Sequence, residues 1–249
     1  VGLGPGLPET ITEQARLALA GAEVVVGYKS YIAQAEPWLA GKEVLSSGMT
    51  RELERAERAL DLALAGRKVA LVSGGDPGVY GMAPVVFELA HARGLALGQP
   101  PEGVAVTVVP GVPAVTAAAS LLGAPLSHDF ACVSLSDRLT PWELIVKRLG
   151  LAAQADFVIA LYNPKSKGRD WQYAQALEIV GRWREAATPV GVVTAALRER
   201  QGVVLTTLAQ AATAEVGMRT IVIIGNSQSF AWNGRMITPR GYMRKYGQG

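Results

Sequence analysis

The chain has 249 residues, is 49% hydrophobic and carries a formal charge of +3, so it can bury a sizeable core and is not a low-hydrophobicity disordered polypeptide. One cysteine, Cys132, excludes an internal disulfide or a thiolate zinc cluster, and two histidines, His91 and His128, argue against a histidine-rich metal site. No apolar run approaches the roughly 18 to 20 residues that span a bilayer, and no basic-then-apolar leader opens the chain, so a soluble cytoplasmic protein without metal is expected. The basic balance suits an anionic small molecule; no lysine and arginine block with interleaved aromatics points to nucleic acid.

Strand and helix signals alternate from the start. Gly2-x-Gly4-Pro5-Gly6 has almost no strand before it, so a few residues of a first strand are expected to precede Val1. Thr12 can cap a helix running through Ala20, and residues 23–26 read as a strand. Thr50 can cap a helix whose Leu53, Ala56, Leu60, Ala63 and Leu64 share one face until Gly66 stops it. Residues 69–72 are a short apolar strand, 83–92 a helix, 94–103 a glycine and proline loop, 105–109 a strand and 114–122 a helix of small residues. Five such units would form one parallel sheet. Residues 123–129 break the rhythm, which places an N-terminal α/β domain at 1–125 and a C-terminal α/β domain at 126–249.

The second half restarts with a strand at 130–135. Thr140-Pro141-Trp142-Glu143 has capping-box spacing with proline at the first helical position, so a helix should run to about residue 149. Strands follow at 156–161, 190–193, 203–206 and 220–224, with a helix at 171–184 and a second capping-box spacing at Thr207 and Gln210. Residues 236–242 read as a polar, turn-rich tail.

Four loops could carry chemistry. Gly2 to Gly6 partly matches a dinucleotide fingerprint, but Leu7 stands where a third glycine is needed, Pro5 has no N–H, and no acid closes the next strand; a plain tight turn explains it equally well. Ser73 to Gly81 is more specific: three glycines, a proline and one acid, Asp76, directly follow a buried strand, where open α/β sheets bind ligands. Val109-Pro110-Gly111-Val112-Pro113 repeats the pattern. Tyr162 to Arg169 puts the cations Lys165, Lys167 and Arg169 on one loop after another buried strand, a pattern that suits a substrate with several carboxylates as well as a solvated loop.

Together these loops resemble the tetrapyrrole (corrin/porphyrin) methylase family, over essentially the whole chain. Gly4-Pro5-Gly6, Gly74-Gly75-Asp76-Pro77 and Val109-Pro110-Gly111 match the general motifs. Gly78 to Ala83, Ser134-Leu135-Ser136-Asp137, Thr140 to Glu143, Tyr162 to Ser166 and Thr238 to Tyr242 resemble the branch that methylates C17 of precorrin-3B or cobalt-factor III and contracts the ring. The resemblance implies a class III methyltransferase of two α/β domains with S-adenosylmethionine in the cleft between them, released as S-adenosylhomocysteine. It further implies a homodimer and an anionic tetrapyrrole substrate. Pro5, Gly74, Gly75, Asp76, Val79, Tyr80, Ala114, Tyr162, Asn163, Ala195 and Ala196 would line the cofactor. Leu7, Pro113 and Ala195 depart from the family's usual acid, Ser/Thr and asparagine.

Methyl transfer from a sulfonium is an in-line displacement that needs positioning rather than a nucleophilic residue, consistent with the absence of a triad motif. Ring contraction moves protons, for which Asp76, His128 and Asp137 are candidates. Other readings are a different tetrapyrrole methylase (acting on uroporphyrinogen-III or precorrin-4), a relative acting on protein or ribosomal RNA, a dinucleotide-dependent oxidoreductase, or a cofactor-binding protein without catalysis.

Overall fold

The computed structural model describes residues 1–98, 103–166 and 168–247. The chain divides into two compact units, Val1–Ala114 and Val115–Gly249. The sequence pattern puts the change at 125/126; in the structure the boundary comes earlier, so most of the small-residue helix belongs to the second unit.

In the first unit α1 (Glu13–Gly21) starts at Thr12, whose hydroxyl accepts the Ala15 N–H at 3.1 Å and so satisfies an otherwise orphaned helix donor. Then come β1 (Val24–Tyr28), α2 (Lys29–Ala35), β2 (Glu43–Ser47), α3 (Glu52–Leu64), β3 (Val69–Val72) and α4 (Ala83–Ala92). β1 lies between β2 and β3, parallel to both, with Val25 opposite Val44 and Ala70. Side chains alternate along a strand. Val24 and Val26 therefore pack with Ala59 of α3, while Val25 packs with Leu3, Leu19 and Ala35. Burial on both faces is why β1 reads as an unbroken valine run.

Four expectations need correction here. The cap of α3 is Arg51 without a side-chain bond, because Thr50 takes a left-handed φ of 66°. The helix buries Ala56, Ala59, Leu60 and also Arg55, leaving Leu53 and Leu64 exposed. Arg55 is tolerated inside because Nη1 donates to Ser47 Oγ at 2.9 Å and the Gly48 carbonyl at 2.7 Å. The parallel sheet has three strands, not five. Residues 105–109 form no strand, and residues 1–4 join 73–75 only through isolated bridges. Part of the 94–103 loop falls outside the described residues.

The second unit holds α5 (Ala114–Leu122, its first residue in the first unit), β4 (Gly123–Ala124), β5 (Phe130–Ser134), α6 (Trp142–Gln154), β6 (Val158–Tyr162), α7 (Trp171–Gly181), β7 (Pro189–Thr194), β8 (Gly202–Thr207), β9 (Thr220–Ile224), β10 (Phe230–Trp232), β11 (Arg235–Ile237) and α8 (Tyr242–Tyr246). Its five-stranded sheet runs β5-β6-β9-β7-β8. β5 and β6 are parallel, and β9 is antiparallel to both β6 and β7. Hence β5, β6 and β7 all end at the same edge. Ile145 and Leu149 of α6 and Ala176 and Val180 of α7 pack on Leu161, Val192 and Val222.

Neither capping box forms: α6 has Pro141 at the cap position with no side-chain bond, and Ala211–Thr213 is only a 3-10 turn, also uncapped by a side chain. α6 runs past residue 149 because Ile145, Leu149 and Ala153 continue one apolar face at helical spacing. α7 stops at Gly181, short of Arg184. A hairpin, β10–β11, that the sequence reading lacked runs into the expected turn-rich tail at Met236 and Ile237, with Met236 opposite Gly123 of β4. β10 is exposed throughout, so no apolar alternation marked it in the sequence.

Arg184 ties the far end of this unit together. Nη1 donates to the Ala153 carbonyl at 2.7 Å, Nη2 to Phe157 at 3.0 Å and Nε to Gly225 at 3.2 Å, with Asp156 at 3.2 Å. Burial pulls the guanidinium below its usual range and Asp156 opposes that. Replacing it by methionine should destabilise the protein by about 3 kcal/mol in urea melts, because several buried carbonyls lose their donor.

Buried Tyr173 donates its hydroxyl to the Ala211 carbonyl at 2.9 Å, and burial pushes its pKa up to about 12. A folded-state pKa above the unfolded value of about 10 gives stability present below pH 10 and lost as pH rises toward 12, amounting to roughly 2 to 3 kcal/mol. Urea melts across this window should show a steeper alkaline loss for the parent than for Y173F.

Candidate functional site

The glycine loops of the first unit are joined main chain to main chain. Leu3 N donates to the Ser73 carbonyl at 2.9 Å, Gly4 N to Gly75 at 3.1 Å, Gly75 N back to Gly4 at 2.8 Å, and Gly2 N to Val109 at 2.9 Å. The Gly2 to Gly4 amides are thereby consumed. They have no donors left for a phosphate, so the opening turn is structural and the dinucleotide reading loses its cradle. A Cβ on Gly2 would lie 2.6 Å from Gly111 N and 2.8 Å from the Gly75 carbonyl, both backbone atoms that cannot swing aside.

Asp76 fixes the pair of loops. Oδ1 accepts Gly78 N at 2.7 Å and Oδ2 accepts Gly111 N at 3.1 Å. Both oxygens of the motif's lone acid therefore serve the backbone, which places it as a staple between loops rather than as a free proton carrier. Gln34 of α2 donates to the Leu3 and Gly4 carbonyls at 3.0 and 3.1 Å. Sequence reasoning missed it, because nothing but its place beside buried Ala35 marks it. Pro5 is buried, Gly74, Gly75, Val79 and Ala114 are half-buried, and Gly78 and Tyr80 are exposed.

In the second unit the loops after β5, β6 and β7 gather at one edge. Asn163 Nδ2 donates to Ser134 Oγ at 3.0 Å, and the same oxygen accepts Ser136 N at 3.2 Å. Tyr162 OH accepts Val115 N, in the first turn of α5, at 3.0 Å. Ala195 N donates to Arg219 O at 2.8 Å, which holds Ala195 and Ala196 at the end of β7. Asp137 is half-buried, and its Oδ2 accepts Gln172 Nε2 at 2.9 Å.

Two candidates sit elsewhere than expected. His128 precedes β5 while Asp137 follows it, and five residues of strand at roughly 3.3 Å each separate them. The imidazole is exposed, and its Nδ1 accepts Asp129 N at 2.8 Å. Arg169 is 7% exposed, with Nη1 donating to the carbonyls of Leu135 and Asn163. It is a buried tie, not the solvent-facing cation the loop pattern suggested. Lys165 is exposed, and Lys167 lies outside the described residues.

Backbone strain falls on the same loops. Among the described residues, seven non-glycine positions have positive φ, and Tyr80, Asn163 and Ala195, at 53°, 50° and 49°, are three of the residues tied to cofactor binding by resemblance. Held strain of this kind collects at ligand sites. A cavity of about 350 Å³ lined by Ser46, Ser47, Arg55 and Arg58 lies on the α3 side of the first sheet, away from these loops. Among the described residues no cluster of metal-ligating side chains occurs, and no helix is long and apolar enough to cross a membrane.

Residues 1–212 match the family model for tetrapyrrole (corrin/porphyrin) methylases. The chain belongs to this family. This tetrapyrrole methylase is 48% identical to a cobalt-factor III methyltransferase of Priestia megaterium over 99% of the chain but only 45% of that protein, so it spans about half that relative's length. It is 47% identical to a probable cobalt-factor III C(17)-methyltransferase of Salmonella typhimurium, covering 97% of the chain and 98% of the relative. Among solved structures, the methyltransferase CobJ superposes with a TM-score of 0.88 at 38% identity, over 96% of this chain and 97% of that one. A uroporphyrin-III C-methyl transferase from Thermus thermophilus complexed with S-adenyl homocysteine gives 0.67 at 26% identity, over 90% and 95%. The mixed α/β fold is that of the family.

A side chain on Gly111 would meet the carbonyl of Gly75 and lie 2.9 Å from the Gly2 carbonyl carbon. The G111A methylase should keep its far-ultraviolet dichroism but bind S-adenosylhomocysteine about tenfold more weakly by calorimetry, because the loops must part.

Proposed function

We propose that the protein is an S-adenosylmethionine-dependent C-methyltransferase that methylates C17 of precorrin-3B or cobalt-factor III with ring contraction. The observation that carries this reading is near-end-to-end similarity, at 47% identity, to a protein named for that reaction. The loops fit this reading: they would grip a ligand through backbone, and displacement at a sulfonium methyl forms the bond to the ring carbon as the C–S bond breaks and a neutral thioether leaves, without a protein nucleophile.

The residues proposed to contact the cofactor are Pro5, Gly74, Gly75, Val79, Tyr80, Ala114, Tyr162, Asn163, Ala195 and Ala196. Asp76 would act by holding the Gly78 and Gly111 amides in place. Asp137 is the better proton carrier for ring contraction, since its Oδ1 has no partner among the described residues while both Asp76 oxygens are engaged. Exposed Lys165, together with Lys167, would meet the substrate's carboxylates.

Incubating the protein with S-adenosylmethionine and either tetrapyrrole should give a product heavier by one methyl group with a changed absorption spectrum. No change with either substrate would sink the assignment. Calorimetry tests the dinucleotide reading: binding of NAD in preference to S-adenosylhomocysteine would favour an oxidoreductase.

A further inference from the structure

Arg169 is buried, and its side chain donates to main-chain carbonyls. Its place is fixed by the tight turn before it, where Ser166 N donates to the Arg169 carbonyl at 2.9 Å and Arg169 N returns to Ser166 at 3.0 Å, with Gly168 at a φ of 80°. From there Nη1 donates to Leu135 O at 3.0 Å and to Asn163 O. Leu135 directly follows β5 and Asn163 directly follows β6. One guanidinium thus fastens the two strand exits to each other.

The same exits are joined a second time by Asn163 Nδ2 on Ser134 Oγ. Asn163 is therefore held by its carbonyl and by its side-chain amide, in a left-handed conformation that costs energy outside glycine. A charged donor to a carbonyl is worth more than a neutral one, and burial strengthens it. Asp137 lies close enough to favour the charged guanidinium against its burial, and Gln172, itself buried, bonds that carboxylate from the start of α7.

We propose that Arg169 is a positioning residue: it holds Asn163 in its strained conformation so that Asn163 can meet S-adenosylmethionine, and it does not bind the substrate's carboxylates. This rests on the reading of Asn163 as a cofactor residue. Both bonds leave from Nη1; lysine, with a shorter and more flexible stem, should place its ammonium poorly between the two carbonyls.

The test is a double-mutant cycle read by calorimetry with S-adenosylhomocysteine, alongside tetrapyrrole KM at two salt concentrations. R169K and R169M should each weaken S-adenosylhomocysteine binding about tenfold while tetrapyrrole KM, at saturating methyl donor, stays near the parent value. In the N163A background either substitution should cost less than about twofold, since the arginine acts through that residue.

If S-adenosylhomocysteine affinity holds while tetrapyrrole KM rises and loses its salt dependence, Arg169 is a substrate cation and the proposal is overturned. Equal losses with and without N163A also overturn it, because the arginine then supports the unit as a whole. N163A binding S-adenosylhomocysteine as tightly as the parent would remove the cofactor reading of Asn163 and the positioning role with it, an outcome read from that single variant alone. Should R169M fail to fold, R169K in both backgrounds gives the same comparison.

Discussion

Two amides on one carboxylate set the geometry of the first unit's loops. Asp76 accepts Gly78 N with one oxygen and Gly111 N with the other, so the turn after β3 and the loop before α5 hold a fixed separation. That separation is small enough that Gly2, Gly75 and Gly111 touch through backbone alone. A carboxylate suits this because each of its two oxygens can take one donor and its full charge strengthens both bonds. The glycines and the acid are therefore one device. Glycine makes the close approach sterically possible, and the acid makes it favourable.

The second unit solves the same problem with the opposite charge. There the strand exits are joined by a buried guanidinium on two carbonyls, Leu135 and Asn163. In both units the charged side chain is directed at the backbone. An amide or carbonyl held by the fold cannot relax away from its target, which suits a reaction whose barrier is set by alignment of a donor methyl with a ring carbon.

Much of the fold could be read from periodicity and capping chemistry. β3, α4, α5 and β9 fall at the expected residues because each has a clear apolar run and a glycine, proline or polar boundary. Thr12 announced α1 for a reason that survives in the structure, a hydroxyl accepting a helix amide. What failed were readings in which spacing alone stood for a bond. Thr140 with Glu143, and Thr207 with Gln210, have the right interval, but the chain before each element does not present the hydroxyl to the helix. The strand at 105–109 failed because apolar character says nothing about whether a neighbouring ladder is present to pair with.

The candidate site was legible at the level of loops and not of atoms. Glycines after a buried strand mark loops that the structure joins main chain to main chain, a pattern that follows from backbone sterics. Charge was misleading, because a formula of acids and cations does not say which way they face. Asp76 and Arg169 looked like groups for a ligand and are spent on the chain itself, whereas Lys165 is left to solvent. The difference between these two cations lies in reach and geometry: the long, planar guanidinium of Arg169 sets one nitrogen between two buried carbonyls. Strain adds what composition lacks. Asn163 and Ala195 sit at left-handed angles beside the strand exits of the second unit, and Tyr80 does so in the first. None of the three is glycine, so each conformation must be held by its neighbours, and at Asn163 those neighbours are Ser134 and Arg169.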